Sequence, residues 1–305
     1  MPMLPLILSI ALSGHGLRKK SLSPSGALCA FMVGFGMMSG GTRAFGWELI
    51  VFYLLGSRAT KCESAARQIG HIDGKRRKAQ LEEDYHEAGY RNGWQVLCNS
   101  VTAFIACTAW NMMYVQDSVH ARLFGHQGYE LGQCALEERG WSRMLLFAAL
   151  GHFGCCLGDT LASELGILSP SPPVLITTWK RVPPGTNGGV SLGGTMASVM
   201  GGFAIGVTMG ACLLMEHCGW GTVLPCLGWG AFAGGFGSLV DSLLGATVQE
   251  TKYNAADGKI SQRRTGVVAI SGVDVLSNNQ VNLLSSIVTA VAVAGLAGRW
   301  GHVTS

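Results

Sequence analysis

Hydrophobic residues gather into long runs separated by polar connections. The apolar runs fall at about residues 2–13, 24–41, 44–57, 93–115, 142–160, 189–215, 222–247 and 281–298. A helix crosses the ~30 Å hydrocarbon core of a bilayer with about 20 mostly apolar residues, and most of these runs reach or approach that length. The first and third are short, which leaves seven or eight crossings and a re-entrant segment as an alternative. The expected fold is all-α: a polytopic membrane protein with about seven or eight transmembrane helices. It forms a single integral membrane domain over 1–305, with a basic and acidic extramembrane loop at about 58–92.

Composition agrees. Charged residues make up 13% of the chain and 44 of its 305 residues are glycine, whereas soluble domains carry about 25% charge and about 7% glycine. Gly36/Gly40, Gly202/Gly206, Gly206/Gly210 and Gly230/Gly234 have the small-xxx-small spacing that lets membrane helices approach closely. Most of the ten cysteines lie inside apolar runs, and no C-x-x-C pair or Cys/His metal spacing occurs. They read as small packing residues.

With eight spans, alternate connections fall on opposite faces. One face collects 17 of the 22 Lys and Arg, and the other holds only Arg43, Arg122, Arg139, Arg143 and Arg299. The positive-inside bias points the rich face towards the cytosol or an equivalent compartment. Every dense polar motif lies on that face.

Three stretches carry candidate chemistry. Gly158–Glu164 ends the fifth run, where Asp159 shares a helical face with Ser163 and Thr160 shares one with Glu164. Asp159 and Glu164, five apart, point ~140° apart on an ideal helix, so they hold one metal jointly only if the helix unwinds. Gly237, Asp241 and Gly245 form a smooth face with a lone carboxylate at its centre, open to a neighbouring backbone or a ligand. Ile176–Gly194 places Thr177, Lys180 and Arg181 before the Pro183-Pro184-Gly185 turn, followed by Thr186, Asn187, Gly188 and Gly189. Glycines running into a helix N-terminus make either a phosphate cradle or a stiff connector. It is not a Walker A loop.

Other groups sit near the same face. Lys61 with Thr60, and Arg91 with Asn92, lie at span mouths where they can grip an anionic headgroup. Asn278, Asn279 and Asn282 either cap the last helix or line a site. The acids at 82–87 read as a solvated helix, and His152 as a satisfied buried histidine.

These motifs resemble the transmembrane protein 19 family, multi-pass membrane proteins whose plant relatives include phytyl-phosphate kinase. The resemblance runs from Gly16 to Leu284. It rests on G-L-R-K-K-S-L with S-G-A-L, Thr60-Lys61, E-A-G-Y-R-N with Q-V-L-C-N, and G-D-T-L-A-S-E-L-G. It continues through L-I-T-T-W-K-R-V-P-P-G-T-N-G-G, G-S-L-V-D-S-L-L-G-A-T and N-N-Q-V-N-L. Three departures stand out. Lys180 occupies a position that is often acidic, which leaves the basic role to Arg181. Ser277 replaces an Asp that commonly precedes the paired Asn, and Gly93 is an extra residue.

The resemblance implies an isoprenoid (phytyl or polyprenyl) monophosphate kinase. It would transfer the γ-phosphate of a nucleoside triphosphate, CTP by analogy, to give the isoprenyl diphosphate. Asp159, Asp241 and Glu164 are then catalytic, with Mg²⁺ on Asp159 and Asp241. Lys61, Arg91, Asn92, Arg181 and residues 185–189 bind phosphate. Ser163, Thr177, Asn278 and Asn279 complete the polar lining, and the isoprenoid tail lies between glycine-lined helices. No nucleic-acid partner is expected. The plant enzyme is plastidial, but no transit segment opens this chain, so the expected location is an endomembrane such as the endoplasmic reticulum. The alternatives are a transporter or lipid flippase, which needs polar residues through both halves of the bilayer, and a non-catalytic membrane scaffold.

Overall fold

A computed structural model describes residues 3–65, 90–115, 134–136, 141–167, 169, 171–256, 258–261 and 265–300. All eight apolar runs appear as helices. They are α1 (Met3–Arg18), α2 (Pro24–Met38), α3 (Ala44–Ala65), the pair α4 (Gly93–Cys98) and α5 (Val101–Tyr114), α6 (Trp141–Gly166), α7 (Leu192–Met215), α8 (Val223–Val248) and α9 (Asn278–Trp300). The fourth run breaks at Asn99–Ser100, where the Asn99 side chain donates to the Gln95 carbonyl and the Ser100 hydroxyl to the Val96 carbonyl. Such back-bonding competes with helix continuation. Among the described residues, four helical segments are long and apolar enough to cross a bilayer unaided: Trp141–Gly166, Leu192–Met215, Trp220–Val248 and Asn278–Gly298. Ile7, Ile105, Met200, Leu224 and Val291 point outward and exposed, as a lipid-facing surface requires.

The trunk is α6, α7 and α8. From Met144 to Leu157 α6 is apolar all round apart from His152, which suits a central helix, and its stretch Ala149–Gly158 is buried throughout. Its neighbours reach it backbone to backbone. A Cβ on Gly158 would sit 2.7 Å from the Gly234 Cα and 2.9 Å from the Ser198 carbonyl oxygen. Gly202 and Gly206 of α7 abut Gly230 and Cys226 of α8 in the same way, so these small-xxx-small pairs do pack helices. α9 closes the other side of α6, with Gly151 against Ala290. α1, α2 and α3 stand outside this trunk.

The connections sort to two ends, as eight alternating spans require. At the cation-poor end, Glu216 accepts from the Arg43 amide at 2.7 Å and from the Thr42 hydroxyl at 3.0 Å, while Asn111 Oδ1 accepts from the Gly41 amide at 2.8 Å. Cys134 and Cys218 form a disulfide at this end. That corrects the packing-only reading of the cysteines: Cys134 and Cys218 lie in polar connections, not in apolar runs, and fold topology brings those connections together. Cys107, Cys155, Cys156, Cys212 and Cys226 are free and buried, as expected.

At the cation-rich end two small antiparallel sheets supplement the helices, which the all-α expectation did not include. β1 (Val174–Leu175) pairs with β2 (Gly189–Val190). β3 (Thr251–Asn254) lies between β4 (Lys259–Ile260) and β5 (Val268–Ser271). Residues 66–89 of the expected 58–92 loop lie outside the described residues, as does the side chain of Lys61.

Candidate functional site

A cavity of about 1310 Å³ opens among the connections of the cation-rich end, larger than the ~300–1,000 Å³ usual for a small-molecule site. Its polar wall contains Asp159, Ser163, Glu164, Asp241, Arg91, Gly185, Thr186, Asn187, Gly188, Gly189, Asn278, Asn279 and Asn282. Residues as distant in sequence as Arg91 and Asn282 thus line one space.

α6 runs unbroken to Gly166, so Asp159 and Glu164 stay on separate faces. Asp159 lies near enough to Asp241 for their charges to interact, more strongly than with Glu164. Glu164 acts on Arg91: burial lowers the Arg91 pKa, and the charges of Glu164 and Tyr53 oppose that shift. The smooth face around Asp241 admits backbone, not ligand. A Cβ on Gly237 would meet the Cys155 Cα at 2.9 Å, and one on Gly245 would meet the Gly188 amide nitrogen at 3.1 Å. Glycine therefore brings α6 and the 185–189 segment up to Asp241.

α9 supplies the third wall. The Ser285 hydroxyl donates to Asp241 Oδ2 at 2.8 Å. Asn282 lines the cavity, and its Oδ1 is buried with no hydrogen-bond partner. The start of α9 is closed by Ser277 and Gln280, whose Oε1 accepts from both the Ser277 amide and its hydroxyl at 2.8 Å. Asn278 and Asn279 are thereby released from capping and line the cavity.

Arg91 is held by its backbone in the turn between α1 and α2. Its amide donates to the Ser21 carbonyl at 3.1 Å, and its carbonyl accepts from the Ser23 amide at 2.9 Å. Its guanidinium donates to the Ser57 hydroxyl at 3.3 Å. Asn92 does not line the cavity. It caps α4 in a capping box with Gln95, with both bonds near 3.0 Å.

The central loop differs from expectation. Val174 pairs with Arg181, and the Leu175 amide donates to the Lys180 carbonyl at 2.9 Å. This tight turn, with Trp179 at φ 57° and 76% exposed, leaves Thr177, Lys180 and Arg181 exposed and away from the cavity wall. The phosphate-binding expectation for Arg181 and the lining expectation for Thr177 thus find no support in the geometry. Three of the five amides in 185–189 are already donated: Thr186 to the Pro183 carbonyl, Asn187 to Thr251 Oγ1 and Gly189 to the Thr186 carbonyl. Ser191 caps α7 through the Gly194 amide, so the loop does not run straight into an open helix N-terminus. The segment acts chiefly as a wall. Gly188, at φ 78°, is pressed against Ala246 and the Ser242 carbonyl, where no side chain fits.

Two groups escaped the sequence reading. Lys252, on β3, lines the cavity and pairs with Glu250 at 2.8 Å; nothing in the sequence links that hairpin to the helices. Ser285 had a signal, since Asn278, Asn282, Ser285 and Thr289 form one polar stripe in an otherwise apolar run. Among the described residues, no group of three or more His, Cys, Asp and Glu is placed to hold a metal. Where Gly158, Gly202, Gly206, Gly230 and Gly234 of the trunk meet, neighbouring backbone leaves no room for a lipid tail.

The integral membrane protein DUF92 family model matches residues 7–290. The chain belongs to this family. Its relatives include Protein PGR of Arabidopsis thaliana, 34% identical over 93% of this chain and 92% of the relative. An uncharacterized membrane protein of Methanocaldococcus jannaschii is 34% identical over 48% of this chain and 55% of its own length. Protein VTE6, chloroplastic, of Arabidopsis thaliana is 24% identical over 80% of this chain and 61% of its own. No solved structure matches. The DUF92 chain is thus a mostly helical, multi-pass membrane protein.

Proposed function

We propose that this DUF92 protein is a membrane kinase of isoprenyl monophosphates that uses a nucleoside triphosphate, CTP among the candidates. One observation carries the reading: a single cavity is lined by Asp159, Asp241, the half-buried Arg91 and Lys252, and also by apolar residues of α1, α2 and α3. That is the shape of a site for a lipid whose head is a phosphate. The resemblance of its motifs to a family containing phytyl-phosphate kinase supplies the reaction type.

Phosphoryl transfer asks for positioning and charge more than for a nucleophilic side chain. A phosphate oxygen of the acceptor forms the new bond to the γ-phosphorus. The bond from that phosphorus to the β–γ bridging oxygen breaks, and the nucleoside diphosphate leaves with the electron pair. Arg91 and Lys252 bind phosphate oxygens, with Glu164 and Glu250 orienting them. Asp159, Asp241 and the orphan oxygen of Asn282 make an all-oxygen donor set that fits Mg²⁺, which binds through one or two carboxylates plus substrate phosphates. Bound there, the ion would neutralise charge developing on the transferred group. Ser285 fixes the Asp241 carboxylate.

The Cys134–Cys218 disulfide supports placing the opposite end in an oxidising compartment, with the cavity on the reducing, cation-rich side. A relative whose name reads chloroplastic removes the ground for preferring an endomembrane to a plastid. The test is purified protein with labelled CTP, ATP or GTP and prenyl monophosphates of several lengths. Formation of labelled prenyl diphosphate is expected, and no transfer from any donor to any acceptor by folded protein would sink the proposal.

A further inference from the structure

We infer that the apolar limb of the cavity, enclosed by α1, α2 and α3, holds the single hydrocarbon tail of the lipid phosphate. This rests on the kinase reading for the head and goes beyond it for the tail. The limb is lined by Leu12 of α1, Val33, Gly34 and Met38 of α2, and Ile50 and Phe52 of α3. These residues belong to the same cavity as Asp159 and Arg91, so head and tail sites are continuous.

Four further observations fit a tail. First, the polar atoms in the limb are spent within their own helix: Ser9 donates its hydroxyl to the Pro5 carbonyl at 2.7 Å and Ser13 to the Ser9 carbonyl at 2.6 Å. The wall they present is apolar. Second, the limb begins beside the head. Leu22 is bridged to Arg91, and both line the cavity. Third, α2 measures about 22 Å along its 15 residues, about three quarters of the ~30 Å hydrocarbon core. A tail laid along it stays within the membrane while its phosphate remains at the surface. Fourth, where Gly158, Gly202, Gly206, Gly230 and Gly234 of the trunk meet, neighbouring backbone fills the space a channel between these helices would need. Met38 marks the far end of α2 and limits the depth available to the chain.

Gly34 tests this directly. A Cβ there would meet Met38 Cε at 3.5 Å and Ser9 Oγ at 3.6 Å, ordinary contact distances, so a larger side chain grows into the limb. Gly34→Phe is expected to lower the kcat/KM ratio of a C20 to a C5 prenyl monophosphate at least tenfold. An unchanged ratio overturns the inference. The second measurement uses the unsubstituted protein in vesicles with a C20 prenyl monophosphate carrying a diazirine at its tail end. Cross-links are expected in residues 30–38 and 49–52. A diazirine next to the phosphate should mark residues 53–57 and 90–100 instead. Tail-end labels on the outer faces of α7 to α9, or coincident with the head labels, overturn the inference. Correct tail labelling without phosphoryl transfer to any acceptor defeats the kinase reading and leaves the tail site standing.

Discussion

Ser285 on α9 donates its hydroxyl to Asp241 Oδ2 on α8 at 2.8 Å, across 44 positions of sequence. A hydrogen bond to a charged group contributes about 1.5–3 kcal/mol, so Ser285→Ala is expected to lower kcat some 10- to 100-fold with little change in KM. Ser285→Thr should restore most of it, which a merely structural serine would not require. Asp241→Asn is expected to cost at least a thousandfold in rate while the protein keeps its melting temperature. Steady-state kinetics and a thermal melt check both.

Arg91 is pinned by its backbone between Ser21 and Ser23 and reaches Ser57 with its side chain. A lysine at this position keeps the charge but loses the planar fork. Arg91→Lys is expected to raise the KM for the phosphate substrate about tenfold, and Arg181→Ala to leave it within twofold. Equal losses in the two variants would return Arg181 to the site.

The contact of Gly158 with Gly234 leaves no space for a methyl group. Overpacking of a tight core costs about 1–3 kcal/mol and occasionally more, so Gly158→Val is expected to lower the melting temperature strongly or prevent folding. At Gly228 a Cβ would meet nothing within 4 Å, and Gly228→Ala should be neutral or slightly stabilising. Melting curves in detergent distinguish them.

The disulfide gives a test of sidedness. In intact vesicles a membrane-impermeant maleimide is expected to label Cys134 and Cys218 only after reduction, and only from the side opposite the cavity. Cys218→Ser should cost about 2–4 kcal/mol of stability. Labelling of these thiols from the cavity side would reverse the proposed orientation.

Burial raises the Glu216 pKa, opposed by hydrogen bonds from the Arg43 amide and Thr42. The folded protein then holds this proton to higher pH than the unfolded chain does, whose glutamates titrate at about 4.3. The resulting stability is present below that value and is lost as pH rises through the raised pKa. Glu216→Gln should flatten this part of a melting-temperature-against-pH curve.

The helices were legible because membrane crossing imposes a long apolar run, whatever the tertiary contacts. Asp159 and Asp241 were legible for a related reason: a carboxylate at the end of such a run carries a desolvation cost that needs a use. Arg181 misled because its neighbours Pro183, Pro184 and Gly185 mark a turn without fixing its direction, and the β1 pairing swings it outward. Lys252 and the Cys134–Cys218 pair depend on which connections meet, which no local pattern encodes. The apolar limb is empty space between α1, α2 and α3, which glycine spacing alone does not locate.

The backbone contacts of α6, α7 and α8 divide the molecule into a part that cannot vary and a part that can. The contacts among Gly158, Gly202 and Gly234 hold the helices that carry Asp159 and Asp241 at a fixed separation. Along the limb α1 and α2 meet through side chains, as Gly34 does with Met38 and Ser9, and on the proposed reading exchanging a few of these deepens or shortens the tail site. On the proposed reading, a single scaffold of this kind can serve lipids of different length in different membranes.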